Sequence, residues 1–265
     1  MYAFDYVRPA SLADAVKALS SSEESRPLAG GHTLIPTLKQ RLAMPATLVD
    51  LGGIAELKGI RREGNAIVIG AMTTHAEVAR SADVKTLIPA LALLAGWIGD
   101  PHVRNAGTIG GSLANNDPAA DYPAGLLGLN GTVITSQREI PADKYFQGLF
   151  KTALQAGEVI KAVRFPIPQK AGYGKMEQRA SRYALVGVMV AQTSDGIRVA
   201  VTGSGASGVF RAASLEQALS KAFTADALKG VTVPATGLLS DLHGSAEYRA
   251  ALIPVIAERA VASAK

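Results

Sequence analysis

The sequence predicts an α+β fold: a small α/β unit at the N-terminus, a second mixed segment, and a C-terminal domain in which strands precede helices. Three observations predict it. Helical and strand-like apolar patterns alternate up to about residue 55. A Pro–Gly stretch, FPIPQKAGYG at 165–174, interrupts the pattern and marks a boundary. Beyond it come strand-like runs and then two helical ones, the order expected of an α+β domain. The divisions fall at 1–55, 56–168 and 169–265.

The elements follow in order. SLADAVKAL reads as a helix, with Ser11 as its cap, Asp14 at the third position and Leu12, Ala15, Val16 and Leu19 on one face. RPLAGG is a short strand running into a loop, LIPTLKQRL a short helix or turn, and ATLVDLGGI a second strand. LKGIRREGNAIVIGAMTT alternates and breaks at Glu63-Gly64-Asn65, which predicts a hairpin. Thr74 followed by Glu77 is a capping-box pattern opening HAEVARS. LIPALALLAGWIG is apolar nearly all round and reads as a buried helix.

DPHVRNAGTIGGSLANNDPAADYPA, rich in Gly, Pro, Asn and Asp, reads as a long connection of the kind that carries function. AGLLGLNGTVITS is helix then strand, and EVIKAVRFPIP a further strand. After the boundary, GKMEQRA, ALVGVMVAQ and IRVAVTG are strands, the last two joined at Ser194-Asp195-Gly196. SLEQALSKAF and AEYRAALIPVIAERAVA are helices, and Pro254 is expected to kink or restart the last one.

Composition narrows the function classes. The chain has 265 residues, 48% hydrophobic and 18% charged, which is a folded globular composition. It contains no cysteine, so it can hold neither disulfides nor thiolate-ligated metals or iron–sulfur clusters. Its four histidines lack metal-ligand spacing. The net charge of +5 comes from dispersed Lys and Arg without interleaved aromatics, which gives no nucleic-acid signature. The opening MYAFDYVRPASLADAV lacks the pattern of a secretory signal, and no apolar run reaches membrane-spanning length.

Two glycine loops stand out. LAGGHTLIP places Ala29, Gly30, Gly31, His32 and Thr33 before an apolar run. AGTIGGSLAN places Gly107, Thr108, Ile109, Gly110, Gly111 and Ser112 before another. Glycine lets backbone N–H groups approach a bulky anion, and successive N–H groups form anion-binding concavities. Neither loop is a G-x-G-x-x-G or a phosphate loop with its lysine. From the residues alone they fit either a phosphate-bearing ligand clamped twice or two tight turns.

At these residues the sequence resembles the FAD-binding medium subunits of molybdenum hydroxylases, the carbon monoxide dehydrogenase and xanthine dehydrogenase type. The resemblance rests on LAGGHTLIPTLKQRL and VRNAGTIGGSLANNDPAADYPAGLLGLNG and extends over the whole chain. It implies two N-terminal α/β FAD-binding subdomains (PCMH-type) before the C-terminal α+β domain, with non-covalent FAD between them. It implies that residues 29–33 and 107–112 wrap the FAD diphosphate and that Asp121 bonds the sugar or adenine side. It further implies Ile160 and Lys175 near the flavin ring, with Tyr183 over it.

The sequence departs from that family at Ser181-Arg182, where relatives commonly carry Gly-Asp. The resemblance implies an electron-transferring oxidoreductase subunit with no substrate chemistry of its own. Its expected partners are a 2Fe-2S small subunit and a molybdopterin large subunit, as a dimer of heterotrimers. The expected location is the cytoplasm, or the inner membrane face as a peripheral protein. The alternatives are a self-sufficient flavoprotein oxidase and a non-enzymatic nucleotide-binding module.

Overall fold

The computed structural model describes all 265 residues and contains four β-sheets. The first is a three-stranded parallel sheet with Thr47–Asp50 between Asp5–Val7 and Ser25–Leu28. The strand Asp5–Val7 has no counterpart in the sequence reading. It is three residues long and exposed throughout, so no apolar alternation marks it. Helix Leu12–Ser20 covers the sheet, capped by Ser11 as expected, with Leu12, Ala15 and Leu19 buried. Its apolar face also meets Met72 and Val159, and that cluster joins the first unit to the second.

The second sheet is antiparallel and five-stranded, in the order Ile60–Glu63, Ala66–Gly70, Ile160–Pro166, Thr132–Thr135, Glu139–Pro141. The hairpin at Glu63-Gly64-Asn65 forms where the sequence places it. The Thr74–Glu77 capping box opens helix His75–Arg80, with both reciprocal bonds made. A large core of 30 buried residues lies between this sheet and its helices.

The Gly- and Pro-rich stretch after residue 100 is not a structureless connection. It forms three short helices, Pro101–Ala106, Ile109–Asn115 and Tyr122–Gly128. Asp100 caps the first and Thr108 the second, while prolines occupy the first turns of the first and third. Beyond it, the strand pairs Phe146–Gly148 and Lys151–Thr152 form a small two-stranded sheet.

The fourth sheet runs Lys170–Glu177, Ala184–Thr193, Gly196–Thr202, Phe210–Arg211, all antiparallel. Both its faces are covered. Val186, Val188, Val190, Val199 and Val201 face helices Ala213–Lys221 and Ala246–Ala262. Met189, Ala191 and Ala200 face the core of the preceding unit. That explains why ALVGVMV reads as a continuous apolar run. The last helix passes through Pro254 without restarting. Ile253, Ile256, Ala257 and Ala260 around it are buried against the sheet, and this packing holds the helix together across the lost backbone bond. No helix is long and apolar enough to cross a membrane.

Candidate functional site

The first glycine loop leaves the carboxyl end of strand Ser25–Leu28, in a parallel sheet. Loops at the carboxyl ends of parallel strands are where open α/β sheets bind ligands. The second loop, 75 and more residues on, lies against the first. A Cβ on Gly30 would stand 2.1 Å from the Ala106 carbonyl oxygen and 2.8 Å from Gly107 Cα. One on Gly111 would come 3.4 Å from Ala29 Cβ. The two stretches therefore form one surface, and Gly30 is required by that contact.

The backbone donors divide unequally between the loops. In the second, Gly107 N–H donates to Val103, Ile109 to Thr73, Gly110 to Ala71 and Ser112 to Thr108, all through carbonyl oxygens. Gly111 N–H donates to the capping Thr108 hydroxyl at 3.1 Å. Only Thr108 N–H remains without a partner in the chain, and the Ser112 hydroxyl makes no bond within it. In the first loop the N–H groups of Gly30, Gly31, His32 and Thr33 all lack an acceptor in the chain. Gly31 has φ of +73°, the turn that gathers such successive donors into a concavity.

Gly31 and Gly111 have their missing side chains turned inward. A Cβ on Gly31 would meet Ile35 at 2.9 Å and Leu28 at 3.5 Å. One on Gly111 would meet Thr108 Oγ1 at 3.0 Å. These glycines shape the loops from within, and it is backbone that forms the cradle.

His75 underlies the junction and was not singled out in the sequence. Its N–H donates to Gly107 O at 3.0 Å, and its imidazole edge would stand 2.7 Å from a Cβ on Gly107. The ring packs on Tyr122 with centroids 5.3 Å apart. Burial, reinforced by the nearby charges of His32 and Arg104, pushes its pKa down to about 4, so the imidazole is neutral. The capping box at Thr74 is the sequence signal that places it, since it fixes residue 75 in the first turn.

Of the remaining predicted residues, Asp121, Lys175 and Tyr183 group around the fourth sheet's edge, and Ile160 lies in the second sheet. Asp121, 4% exposed, begins helix Tyr122–Gly128. It pairs with Lys175 at 2.9 Å and accepts from the Tyr173 hydroxyl at 2.5 Å. Lys175 also donates to Trp97 O at 3.1 Å. Burial drives the Asp121 carboxyl up, with Lys175 and Tyr173 pulling the other way. Asp121 and Lys175 are thus brought together, and each engages the other within the chain. Tyr173 was missed, although its spacing of two from Lys175 puts both on one face of the strand.

Tyr183 is 44% exposed, on the turn between strands Lys170–Glu177 and Ala184–Thr193. Burial raises its phenol, and the charges of Asp117 and Asp121 add to this. Beside it Arg182 has φ of +60° and donates to Gly99 O at 3.3 Å. Ile160 is buried in the large core at a register shift in its strand, which packs on helix Ile109–Asn115.

A run of unpaired backbone donors in a glycine loop has the chemistry of an anion-binding concavity, and with this fold it describes the class of nucleotide-cofactor-binding α/β proteins. Residues 2–168 match the FAD binding domain in molybdopterin dehydrogenase, and the chain belongs to that family. It is 38% identical to the carbon monoxide dehydrogenase medium chain of Afipia carboxidovorans, over 99% of this chain and 96% of that one. It is 36% identical to the nicotine 6-hydroxylase medium subunit of Paenarthrobacter nicotinovorans, over 99% and 97%. Among solved structures, reconstituted CO dehydrogenase from Oligotropha carboxidovorans matches with a TM-score of 0.88 at 36% identity, covering 98% of this chain and 97% of the matched one.

Proposed function

We propose that this chain is the FAD-binding, electron-transferring subunit of a multi-subunit molybdenum hydroxylase, an oxidoreductase whose substrate is oxidised on a partner. The observation that carries the reading is the run of unpaired N–H groups at Gly30–Thr33, pressed against the second glycine loop, in a chain of this family. FAD fits that cradle: a diphosphate needs several donors and tolerates no intervening side chain. Bound there, FAD supplies the capacity to collect electrons singly and pass them on in pairs.

The chain's own groups do the holding. Gly30, Gly31, His32 and Thr33 offer main-chain donors to the diphosphate, and Thr108 N–H and the Ser112 hydroxyl approach from the second loop. Gly107, Ile109, Gly110 and Gly111 are scaffold for that loop, whose N–H groups hold it to Ala71, Thr73 and its own turn. Ile160 lines the apolar side, Tyr183 covers the ring, and Asp121 with Lys175 lies close by. The chain divides into units 1–55, 56–168 and 169–265, with FAD between the first two.

The medium-chain names of the relatives support assembly with other subunits. In this reading a 2Fe-2S small subunit and a molybdopterin large subunit complete a trimer that pairs into a dimer of heterotrimers. The complex works in the cytoplasm.

Binding of FAD, FMN and riboflavin to the purified chain tests the diphosphate assignment. FAD binds tightly, FMN far more weakly and riboflavin hardly at all, and denaturation releases the flavin intact. Equal affinity for FAD and FMN would overturn the two-loop clamp. Native mass measurement of the complex from its source tests the partners, and an active enzyme made of this polypeptide alone would refute them.

A further inference from the structure

Arg249 stands near the start of helix Ala246–Ala262 and is only 2% exposed. Its guanidinium Nη1 donates to Leu185 O at 2.9 Å and to Gly203 O at 2.6 Å. Nη2 donates to both carboxylate oxygens of Asp241 at 2.8 Å, and only the Nε–H has no acceptor. None of these partners belongs to its own helix. Leu185 lies at the start of strand Ala184–Thr193, Gly203 follows strand Gly196–Thr202, and Asp241 is in the loop before the helix. The two strand ends press on each other: a Cβ on Gly203, whose φ is +81°, would stand 2.4 Å from Ala184 O and 2.8 Å from Leu185 O.

The same strand ends carry the loop that leads into Asp121. Ala184 N–H donates to Ala119 O at 3.2 Å, and Gly203 N–H donates to Pro118 O at 2.8 Å. The hydroxyl of the fully buried Thr202 donates to Ala120 O at 2.7 Å. Ala184 is the residue after Tyr183, and Ala120 is the residue before Asp121.

We infer that Arg249 is a positioning residue for the cofactor site. Its guanidinium clamps the two strand ends to Asp241, the strand ends hold Pro118–Ala120, and the places of Asp121 and Tyr183 follow. The inference deepens the flavin reading and rests on it for what Asp121 and Tyr183 meet. The planar fork is suited to this task, because it reaches two carbonyls and a carboxylate from one rigid group, whereas a lysine ammonium is a single point of charge. Gly203 is buried, and its carbonyl has no donor other than Arg249. Without the guanidinium that acceptor is left unsatisfied, which is costly, and the strand end moves to find a partner.

The test uses the full chain, with and without FAD, carrying Arg249→Met, Arg249→Lys or Leu219→Ala. Leu219→Ala is the control for general destabilisation. Leu219 is 1% exposed against the same sheet, and its apolar side chain holds neither carbonyl. Amide exchange is read residue by residue at a fixed interval below each Tm, and FAD affinity by fluorescence titration. In Arg249→Met the amides of Ala184 and Gly203 should exchange at least about 10-fold faster, as local opening at the strand ends requires. FAD should bind roughly 10- to 100-fold more weakly, the loss expected for one displaced charge-assisted contact. Arg249→Lys should restore neither property, and Leu219→Ala should keep both within about twofold of wild type.

Wild-type exchange at Ala184 and Gly203 in Arg249→Met would overturn the clamp, as would full restoration by Arg249→Lys. Unchanged FAD affinity in Arg249→Met, or an equal loss in Leu219→Ala, would make Arg249 a packing residue alone and overturn the positioning role. If Arg249→Met does not fold, Asp241→Asn takes its place, since an amide offers one oxygen and no charge to the guanidinium. Wild-type exchange and affinity in that variant are then the overturning result. Should the wild type bind no FAD, the cofactor reading fails, and exchange at Ala184 and Gly203 still decides the clamp.

Discussion

Gly30→Ala should separate the two glycine loops, and its size follows from the contact it disturbs. The added methyl would lie 2.1 Å from the Ala106 carbonyl oxygen and 2.7 Å from its carbon. Ordinary contact requires more than a further ångström, and the obstacle is backbone, which cannot rotate away. The Ala106–Gly107 segment is held in turn by Gly107 N–H on Val103 and by His75 N–H on Gly107 O. Overpacking typically costs 1–3 kcal/mol, and with main chain on both sides we expect about 3 kcal/mol.

For a chain of this size that lowers Tm by roughly 6–12 °C. If the shift removes one charge-assisted donor from the diphosphate, FAD affinity falls about 10- to 100-fold. Gly64→Ala is the control. Nothing stands within 4 Å of its Cβ, so it pays only for its φ of +58°. Thermal unfolding and flavin fluorescence titration of both variants give the answer. Wild-type Tm in Gly30→Ala, or an equal loss of FAD affinity in Gly64→Ala, would refute the account.

Four further outcomes are expected. The His75 pKa of about 4, against an unfolded value near 6.5, means that the unfolded chain binds the proton more readily. Its contribution is fully present above pH 6.5 and lost as pH falls toward 4, by about 3 kcal/mol, and Tm against pH should show that slope in wild type and lose it in His75→Gln. At position 182, φ of +60° costs a side chain about 1 kcal/mol that glycine does not pay. Chemical denaturation should therefore rank Arg182→Gly close to wild type and Arg182→Val lower by 1–2 kcal/mol, about the cost of a β-branched residue there. Because Arg182 already serves Gly99 and lies near Asp100, Arg182→Asp should lower the flavin potential by less than the roughly 20 mV that a bare charge worth about 1 kcal/mol would give. Ser112→Ala removes a hydroxyl that makes no bond inside the chain, so it should weaken FAD by about 5- to 10-fold without changing Tm. An unchanged affinity would take Ser112 out of the clamp.

The parts of the fold that the sequence made legible are those whose signals are local. The Glu63-Gly64-Asn65 turn, the Thr74–Glu77 box and the Ser194-Asp195-Gly196 turn each need only neighbouring residues, and each forms. Helices Pro101–Ala106 and Ile109–Asn115 were hidden because turn-forming residues cap and interrupt them. Their signals are Asp100 before Pro101 and Thr108 before a small-residue run, which report helix starts as readily as loops. Strand Asp5–Val7 was hidden because its pairing partner lies more than 40 residues away and both its faces are wet.

The candidate site divides along the same line. Two double glycines announce close backbone approach, and that much is local. Which N–H groups stay free is decided by distant carbonyls. Ala71 and Thr73 consume donors in the second loop, whereas nothing consumes those of Gly30–Thr33. The two loops therefore look equivalent in sequence and differ in chemistry: the first presents donors, and the second supplies the wall that orients them. The same holds for Asp121 and Lys175, 54 residues apart, whose charges read as two contacts until the sheet edge brings them together. A residue's charge is legible in sequence, but whether that charge is free to act on a ligand depends on what folding places beside it.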